Sequence, residues 1–392
     1  MSPDKCLNVY ERFVFPVLSH VDAEVCHRVT LRLLMLAEAT PVRGFVDSAF
    51  MVNDRRLRVT IGGVEFSNPV MLAPGFDKNG VAVRPLERLG FGGVEIGSAT
   101  EKSRKGYPGK RIWRMVEERG LANYMQLPNV GITGVVENAK KNAPRRAKLG
   151  ISVSPIIENG MTMDDVVSQV GRMVIAASCA ADYISLNIVC PNVEHGIDTK
   201  KPDILYKILW NVNRQLNYVE RESGVRPALF FRIAGGVEGT MLDETAKALI
   251  NTRVNAASGF NTFSDWPDRI RERYFDARGG LSGRPIKKRT IELLAQLHQI
   301  TGDRIDLIGS GGVENTEDGL EMMRAGAKGV QIYTGMVYRG PSVVREINRG
   351  LIAAMERMGA GSVGRLRKLI MNQPVKLDLG RLSVLESSSY VD

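Results

Sequence analysis

The chain has 392 residues, of which 44% are hydrophobic, so it is long enough for one large domain or two ordinary ones with a substantial core. Fifty-three Lys and Arg against 43 Asp and Glu give a formal charge of +10, but the positive residues are scattered along the sequence. This composition excludes a disordered chain, and the scattered charge predicts no nucleic-acid partner.

The cysteines and histidines are too dispersed to predict a metal site. Cys6, Cys26, Cys179 and Cys190 form no C-x-x-C pair, and the four histidines are equally scattered. The N-terminus lacks the charged region, apolar core and cleavage site of a secretory signal, and no apolar run reaches the roughly 18 residues of a membrane span. We therefore expect a cytoplasmic protein that is at most peripheral to the inner membrane.

Residues 1–55 are predicted to form an N-terminal helical segment. Apolar side chains recur at helical spacing at Val14, Val17, Leu18, Val21, Val25, Val29, Leu33 and Leu36. Arginines occupy other positions of the same helical wheel, so two interpretations remain open. The segment is either a helix pair that packs on the domain that follows, or an interfacial element that docks on a membrane and admits a quinone.

Eight short apolar runs follow, and they alternate with stretches of helical periodicity. The runs are 70–73, 94–97, 151–153, 183–188, 229–233, 256–260, 305–309 and 330–333. Strands that are apolar on both faces belong in a parallel sheet covered by helices, and eight strand-helix units close into a (β/α)8 TIM barrel. An open, doubly wound sheet is the alternative, although no G-x-G-x-x-G motif follows the first run.

We place the barrel, an α/β fold, at residues 56–357. A β-hairpin around a Gly-Gly turn at 59–66 is predicted to close its floor. The segment 358–392 is a tail to which the sequence assigns no role. Two connections, 98–148 and 261–304, are longer than ordinary barrel loops and are expected to cover the active-site face.

In a barrel of this kind the active site lies at the carboxyl ends of the strands and in the loops that follow them. Glycine-rich turns after the seventh and eighth strands, at 309–312 and 333–335, allow backbone N–H groups to approach a phosphate closely. A third glycine-rich turn lies at 279–283. These turns predict a phosphate site, whereas the simpler interpretation is that they only reverse the chain.

Polar residues at the strand ends indicate a ligand that is planar, polar and partly anionic. Lys78 follows the first strand, and Arg232 ends an otherwise apolar strand, where its burial requires an anionic or electron-rich partner. Asn187, Asn192 and Asn261 offer amide donors and acceptors for the edge of such a ligand. Each residue also has a structural interpretation: a surface lysine, a salt-bridged arginine, or an asparagine that braces a loop.

Several motifs, in the same order along the chain, resemble the dihydroorotate dehydrogenases. They are NPVMLAPGFDKNG (68–80), GFGGVEIGSAT (90–100), YISLNIVCPN (183–192), GGLSGRP (279–285), IGSGG (308–312) and RAGAKGVQIYTG (324–335). The D-x-E-x-x-H pattern from Asp22 to His27 resembles the membrane-associated, quinone-using class 2 of that family. The resemblance implies FMN over the barrel mouth, a dihydropyrimidine-type small-molecule substrate, hydride transfer to the flavin, and a quinone acceptor.

The same resemblance implies roles for individual residues. Cys190 would be the catalytic base, which removes a proton while hydride leaves the neighbouring carbon. The substrate would contact Lys78, Asn187, Asn192, Asn261 and Thr262. The flavin would be held by Ala73, Gly75, Ser98, Ser152, Asn187, Arg232, Gly280, Gly283, Gly311, Gly312, Tyr333 and Thr334, with the last six at its chain and phosphate.

The sequence departs from the family pattern around the flavin ring and the substrate. A cysteine stands at the base position, as in the soluble class 1, where class 2 members carry serine. In NYMQLPN (123–129), Pro128 occupies a position where the family has an asparagine. Ser152 also occupies an asparagine position, Arg232 a lysine position, and Pro74 the position of a small residue. Two alternatives therefore stay open: a diverged flavoenzyme acting on another heterocycle or an enone, and a catalytically silent barrel that binds FMN or a phosphorylated metabolite.

Overall fold

The eight apolar runs form eight parallel strands that close into a barrel in the computed structural model, which describes residues 9–188 and 201–372. In chain order the strands are β1 Val70–Leu72, β2 Gly93–Ala99, β3 Lys148–Val153, β4 Tyr183–Leu186, β5 Ala228–Arg232, β6 Ala256–Gly259, β7 Asp306–Ser310 and β8 Ala327–Ile332. Each strand pairs in parallel with the next, and β8 returns to β1. The (β/α)8 prediction is confirmed, and the doubly wound alternative is wrong.

Helices cover the outside of the barrel because each connecting segment carries one apolar stripe. The outer helices are Val83–Glu87, Gly131–Lys141, Met163–Ser178, Pro202–Ser223, Thr240–Asn251, Lys287–Thr301, Thr316–Arg324 and Val343–Arg357, with shorter ones at Asp268–Arg273 and Thr334–Arg339. Met163–Ser178 is representative: Thr162 and Asp165 form a reciprocal capping box at its start, and Val170 and Val174 face the strands.

Two accessory sheets close the two ends of the barrel. The hairpin of Val59–Ile61 and Val64–Phe66 turns at the predicted Gly-Gly pair and packs against side chains at the amino ends of the strands. At the opposite end, Ile112–Met115 and Gly120–Asn123 pair with Gly280–Gly283 in a three-stranded antiparallel sheet, which we call the cap sheet. The cap sheet draws its strands from the two long connections, which therefore do cover the active-site face.

The N-terminal segment is held on the barrel by partly buried apolar side chains and by ion pairs. It forms a π-helical turn at Tyr10–Val14 and helices at Phe15–Ser19, Ala23–Glu38 and Val42–Phe50. Within residues 10–50 no side chain of these elements is fully buried. Arg88 of the barrel layer pairs with Glu38 and Asp47, each at 2.5 Å, and Arg111 of the cap sheet donates to Glu24 at 3.0 Å. No helix in the described ranges is long and apolar enough to cross a membrane.

The C-terminal segment adds one further helix to the barrel layer. Val363–Met371 is capped by Ser362 and buries Val363, Leu366 and Ile370. The guanidinium of Arg367 donates to the backbone carbonyls of Gly326 and Ala327, which precede and begin β8. This part of the predicted tail is thus packed on the barrel, while residues 373–392 lie outside the described ranges.

Candidate active site

A cavity lies at the carboxyl ends of the strands, between the barrel mouth and the cap sheet. It encloses about 1170 Å³ of space, part of it open to solvent. Strand ends and loops from all around the barrel converge there. Of the predicted site residues, those that line it are Ala73, Gly75, Lys78, Ser98, Asn187, Arg232, Asn261, Thr262, Gly283, Gly311, Gly312, Tyr333 and Thr334.

The remaining predicted residues lie behind the cavity wall or outside the described ranges. Ser152 is fully buried, and its Oγ lies 2.8 Å from the Oγ of Ser98, so it supports a lining residue. Gly280 lies in the cap sheet, where an added Cβ would come within 1.9 Å of Thr262 Oγ1, so its missing side chain makes room for that threonine. Cys190 and Asn192 both fall outside the described residues.

A chain of hydrogen bonds orients the polar side chains on one side of the mouth. Asn187 Nδ2 donates to Ser98 Oγ at 3.0 Å, and Asn261 Nδ2 donates to Asn187 Oδ1 at 3.3 Å. The backbone N–H of Thr262 donates to Asn261 Oδ1 at 2.9 Å. These contacts determine which atom of each amide is donor and which is acceptor, so both asparagines face the cavity in a defined orientation.

Arg232 lies at the mouth of the barrel, as its position at the end of β5 predicts. Its side chain is buried, and it donates from Nη1 to Gln331 Oε1 at 2.9 Å and from Nη2 to Ser310 Oγ at 3.3 Å. Gln331 in turn donates from Nε2 to Glu95 Oε2 at 2.6 Å. Burial raises the pKa of the Glu95 carboxyl, while the positive charge of Arg232 opposes that rise. A positive charge is therefore fixed at the floor of the cavity.

The sequence reasoning missed Glu95 and Gln331. Both occupy strands whose neighbouring residues are apolar, VEIG at 94–97 and VQIY at 330–333. A charged or amide side chain inside a strand with apolar neighbours on both sides was the available signal, since such a group is buried only with a partner.

The loop after β1 places Lys78 at the edge of the cavity. The carboxylate of Asp77 accepts from the backbone N–H groups of Val81 and Ala82, which fixes this loop. Lys78 Nζ donates to the carbonyl of Gly75 at 2.7 Å. Burial, with a further contribution from Arg111, lowers the pKa of Lys78 to about 8, although Glu24 and Asp77 act in the opposite direction. At neutral pH the amine is therefore charged but close to losing its proton.

The N-terminal helix Ala23–Glu38 reaches the same loop. His27 Nε2 lies 2.6 Å from the carbonyl oxygen of Phe76, and because a carbonyl only accepts, the ring must carry its proton on Nε2. Burial and the neighbouring Lys78 lower the pKa of His27 to about 4, so the ring is neutral at neutral pH. Phe76 also packs edge-on against Tyr333, which lines the cavity. The N-terminal segment thus borders the β1 side of the site.

The cap sheet and the loop after it give the cavity an apolar wall. Its members are Ile112, Leu121, Met125, Leu127 and Pro128. Gln126 and Leu127 both have a left-handed backbone, with φ of 54° and 55°, which costs a non-glycine residue about 1 kcal/mol or more. This conformation turns the loop so that Pro128 lines the cavity. Asn123 adds a polar group to the same wall, and sequence reasoning assigned it no role.

The turn after β7 has a shape that only glycine allows. Gly311 and Gly312 have φ of 121° and 83°. A Cβ at Gly312 would lie 2.5 Å from Lys287 Cβ, and one at Gly311 would lie 2.9 Å from Ile286 Cδ1. Both glycines also line the cavity, so the turn presents backbone to it, a feature typical of phosphate sites. Beside it, Thr334 Oγ1 lies 2.9 Å from Ser282 Oγ of the cap sheet.

Comparison with known proteins agrees with this geometry. The family model described as dihydroorotate dehydrogenase matches residues 56–355. The chain belongs to the dihydroorotate dehydrogenase family. Over 88% of its length it is 32% identical to the dihydroorotate dehydrogenase (quinone) of Streptomyces avermitilis, covering 95% of that protein. The protein of the same name from Cereibacter sphaeroides is also 32% identical, over 91% of this chain and 96% of that protein.

Solved structures of this family have the same fold. The crystal structure of the Eimeria tenella dihydroorotate dehydrogenase in complex with ferulenol superposes with a TM-score of 0.80 at 26% identity, over 90% of this chain and 97% of that one. The ligand-free structure from the same organism gives a TM-score of 0.77 at 28% identity, over 90% of this chain and 100% of that one. The chain is accordingly an oxidoreductase of the dihydroorotate dehydrogenase family, and the family match spans all eight strands and the cap sheet.

Replacing Gly312 by alanine tests the glycine turn directly. Gly312→Ala must place a Cβ against the backbone and Cβ of Lys287 at a positive φ, so we expect the free energy of unfolding to fall by about 2 kcal/mol in urea denaturation. Gly361→Ala is the matched control, because nothing lies within 4 Å of its Cβ position. Equal stability of the two variants would contradict the described turn.

Proposed function

We propose that the protein oxidises dihydroorotate across a carbon-carbon single bond, with FMN bound in the cavity and a quinone as the final electron acceptor. The observation that carries this proposal is the buried Arg232 on the cavity floor, between neighbouring strands that present oriented amides and close to the glycine turn after Ser310. A fixed cation at the floor of a ligand cavity is suited to a ring that gains negative charge during the reaction.

The residues present fit FMN. The Gly311–Gly312 turn, where an added Cβ would clash with Ile286 or Lys287, and the hydroxyl of Thr334 would hold the phosphate. Arg232 would lie beside the ring, and Ser98 with its support Ser152 would face the ring edge. When bound, FMN supplies the acceptor for a hydride from the substrate carbon.

The substrate would lie between the flavin position and the apolar wall of the cap. Asn187 and Asn261 present oriented amides to its ring edge, and Thr262 adds a hydroxyl. Lys78 offers a positive charge for a carboxylate. The apolar wall excludes water from the reacting carbons, which strengthens each of these polar contacts.

Cys190 is the proposed base for the substrate proton. It follows the cavity-lining Asn187 by three positions along the chain and lies outside the described residues. A thiol removes a proton only as its thiolate, which nearby positive charge or backbone donors favour. A positioned base contributes about 100- to 10,000-fold to the rate of a proton transfer.

Anaerobic mixing with dihydroorotate tests substrate and base together. We expect dihydroorotate to bleach the flavin absorbance of the purified protein, because substrate hydride reduces the ring. Cys190→Ala should stay yellow but bleach at least about 100-fold more slowly. Cys179→Ala is the control, because this thiol is exposed at the end of an outer helix, and its bleaching rate should not change. Fast bleaching of Cys190→Ala would exclude Cys190 as the base.

A second candidate function is the oxidation or reduction of a different heterocycle or enone. Pro128 and its apolar neighbours on the cap wall favour it, because a proline side chain offers no hydrogen bond to a pyrimidine edge. The same experiment separates the two candidates. A yellow protein that dihydroorotate does not bleach, but that another cyclic carbonyl compound does, would favour the second.

The pH dependence of the Michaelis constant tests the role of Lys78. The amine is charged below a pKa of about 8 and neutral above it, so KM for anionic dihydroorotate should rise between pH 7 and pH 9. Lys78→Met removes the charge at every pH, and we expect its KM to be about 10- to 100-fold higher and independent of pH over this range. A KM that rises with pH equally in both proteins would show that another group is responsible.

The outer face of the N-terminal segment fits peripheral contact with a membrane. Several of its large apolar side chains are strongly exposed, namely Phe13, Val17, Leu33, Leu36 and Phe45. Exposed arginines accompany them at Arg12, Arg28, Arg32 and Arg43. An apolar face fringed by positive charge favours the surface of an anionic bilayer. Because the inner face of this segment borders the β1 loop, a quinone from the bilayer would reach the edge of the cavity there.

Flotation with vesicles of phosphatidylcholine and phosphatidylglycerol tests this surface. The double variant Leu33→Glu/Leu36→Glu should bind at least about tenfold more weakly, because each leucine contributes on the order of 1.5 kcal/mol or more when buried. Its flavin should still be bleached by substrate at an unchanged rate. Val225→Glu/Phe275→Glu, at two exposed apolar positions of the barrel, is the control and should float normally. Equal loss of binding in both variants would contradict a membrane face on the N-terminal segment.

A further inference from the structure

A buried polar cluster crosses the barrel beneath the cavity. Five strands contribute one side chain each, and each of these residues has at most 7% of its surface exposed. The five are Glu95 of β2, Tyr183 of β4, Arg232 of β5, Ser310 of β7 and Gln331 of β8. Gln331 joins the two charged members, because its Oε1 accepts from Arg232 Nη1 and its Nε2 donates to Glu95 Oε2. Tyr183 donates to the same carboxylate oxygen at 3.3 Å.

The direction of these hydrogen bonds follows from the chemistry of arginine. A guanidinium only donates and does not lose its proton in a protein, so Gln331 must turn its oxygen towards Arg232. Its amide nitrogen is then obliged to face an acceptor, and Glu95 Oε2 occupies that position at 2.6 Å. The cluster is therefore an ordered series from cation to amide to carboxylate.

Charge balance gives Glu95 a role beyond packing. A cation that is almost fully buried requires a nearby anion, and Glu95 is the carboxylate of this hydrogen-bonded cluster. The glutamate lies on the side of Arg232 away from the cavity, since it is fully buried and does not line the cavity wall, whereas Arg232 does. When Glu95 is ionised, its negative charge reduces the field of Arg232 at the cavity floor.

We propose that Glu95 is the counter-ion of Arg232 and, through Gln331, a positioning residue that sets the reduction potential of a flavin bound in the cavity. The inference rests on the proposed FMN site. A positive charge beside the ring stabilises the reduced, anionic flavin and raises its potential. Glu95 opposes this effect, and it also keeps the guanidinium directed along the Gln331 contact.

The test is the equilibrium potential of FMN in the full-length holoprotein, measured by anaerobic reductive titration against a dye of known potential. Glu95→Gln keeps the size of the side chain and one acceptor oxygen for Gln331 and Tyr183, and it removes the charge. We expect the equilibrium constant for flavin reduction to rise at least about tenfold, which corresponds to about 30 mV for a two-electron couple. Ser258→Ala is the matched control, because Ser258 is uncharged and lies beside Arg232 in the next strand. The reduction potential of FMN in this variant should equal that in the unsubstituted protein.

A second comparison separates counter-ion from general structural support. In an Arg232→Gln background Glu95 has no cation to balance, and a lone buried carboxylate takes up a proton. Adding Glu95→Gln to that background should therefore leave the potential unchanged. A shift of the same size in both backgrounds would show that Glu95 does not act through Arg232 and would overturn the proposal.

A smaller substitution covers the case in which Glu95→Gln does not fold. Glu95→Asp keeps the charge but withdraws it from Gln331 by one methylene group, and we expect a smaller shift of the same sign. If the unsubstituted protein is yellow and the FMN potential is unchanged in both Glu95 variants, the proposed role of Glu95 is contradicted, while the proposed function is not. A protein that takes up no FMN contradicts the proposed function instead.

Discussion

The burial of one guanidinium at the barrel mouth constrains the rest of the site. Arg232 ends a strand whose other residues pack in the core, so its charge must be satisfied from within the barrel and from the cavity. Below it, Gln331 and Glu95 provide acceptors and an opposite charge. The cluster therefore determines where the cation lies, and the cavity is built above it.

The surrounding elements act on the ligand position from different sides. The glycine turn after β7 has a shape that side chains would force against Ile286 and Lys287, and the amides of Asn187 and Asn261 are oriented by one another. The cap sheet closes the cavity with apolar side chains, whereas the N-terminal segment is attached by ion pairs and leaves an apolar face outside.

Sequence reasoning recovered the barrel because strands covered on both faces are apolar throughout, and that pattern survives any change of active site. It also predicted that Arg232, Lys78, Gly311 and Gly312 lie at one face, since strand ends meet there, and all four line the cavity. Ser152 and Gly280 lie behind the wall, because residue identity does not reveal whether a position lines a cavity or supports one that does. The contacts of Glu95 and Gln331 could not be predicted, because their partners lie on strands far away in the sequence. The ion pairs of the N-terminal segment could not be predicted for the same reason.

The absorption spectrum of the purified protein tests the central claim most directly. A site built on a buried cation, oriented amides and a phosphate turn should hold one FMN per chain, so the protein should be yellow, and any colourless fraction should become yellow on addition of FMN. A correctly folded protein that stays colourless with excess FMN would contradict this account.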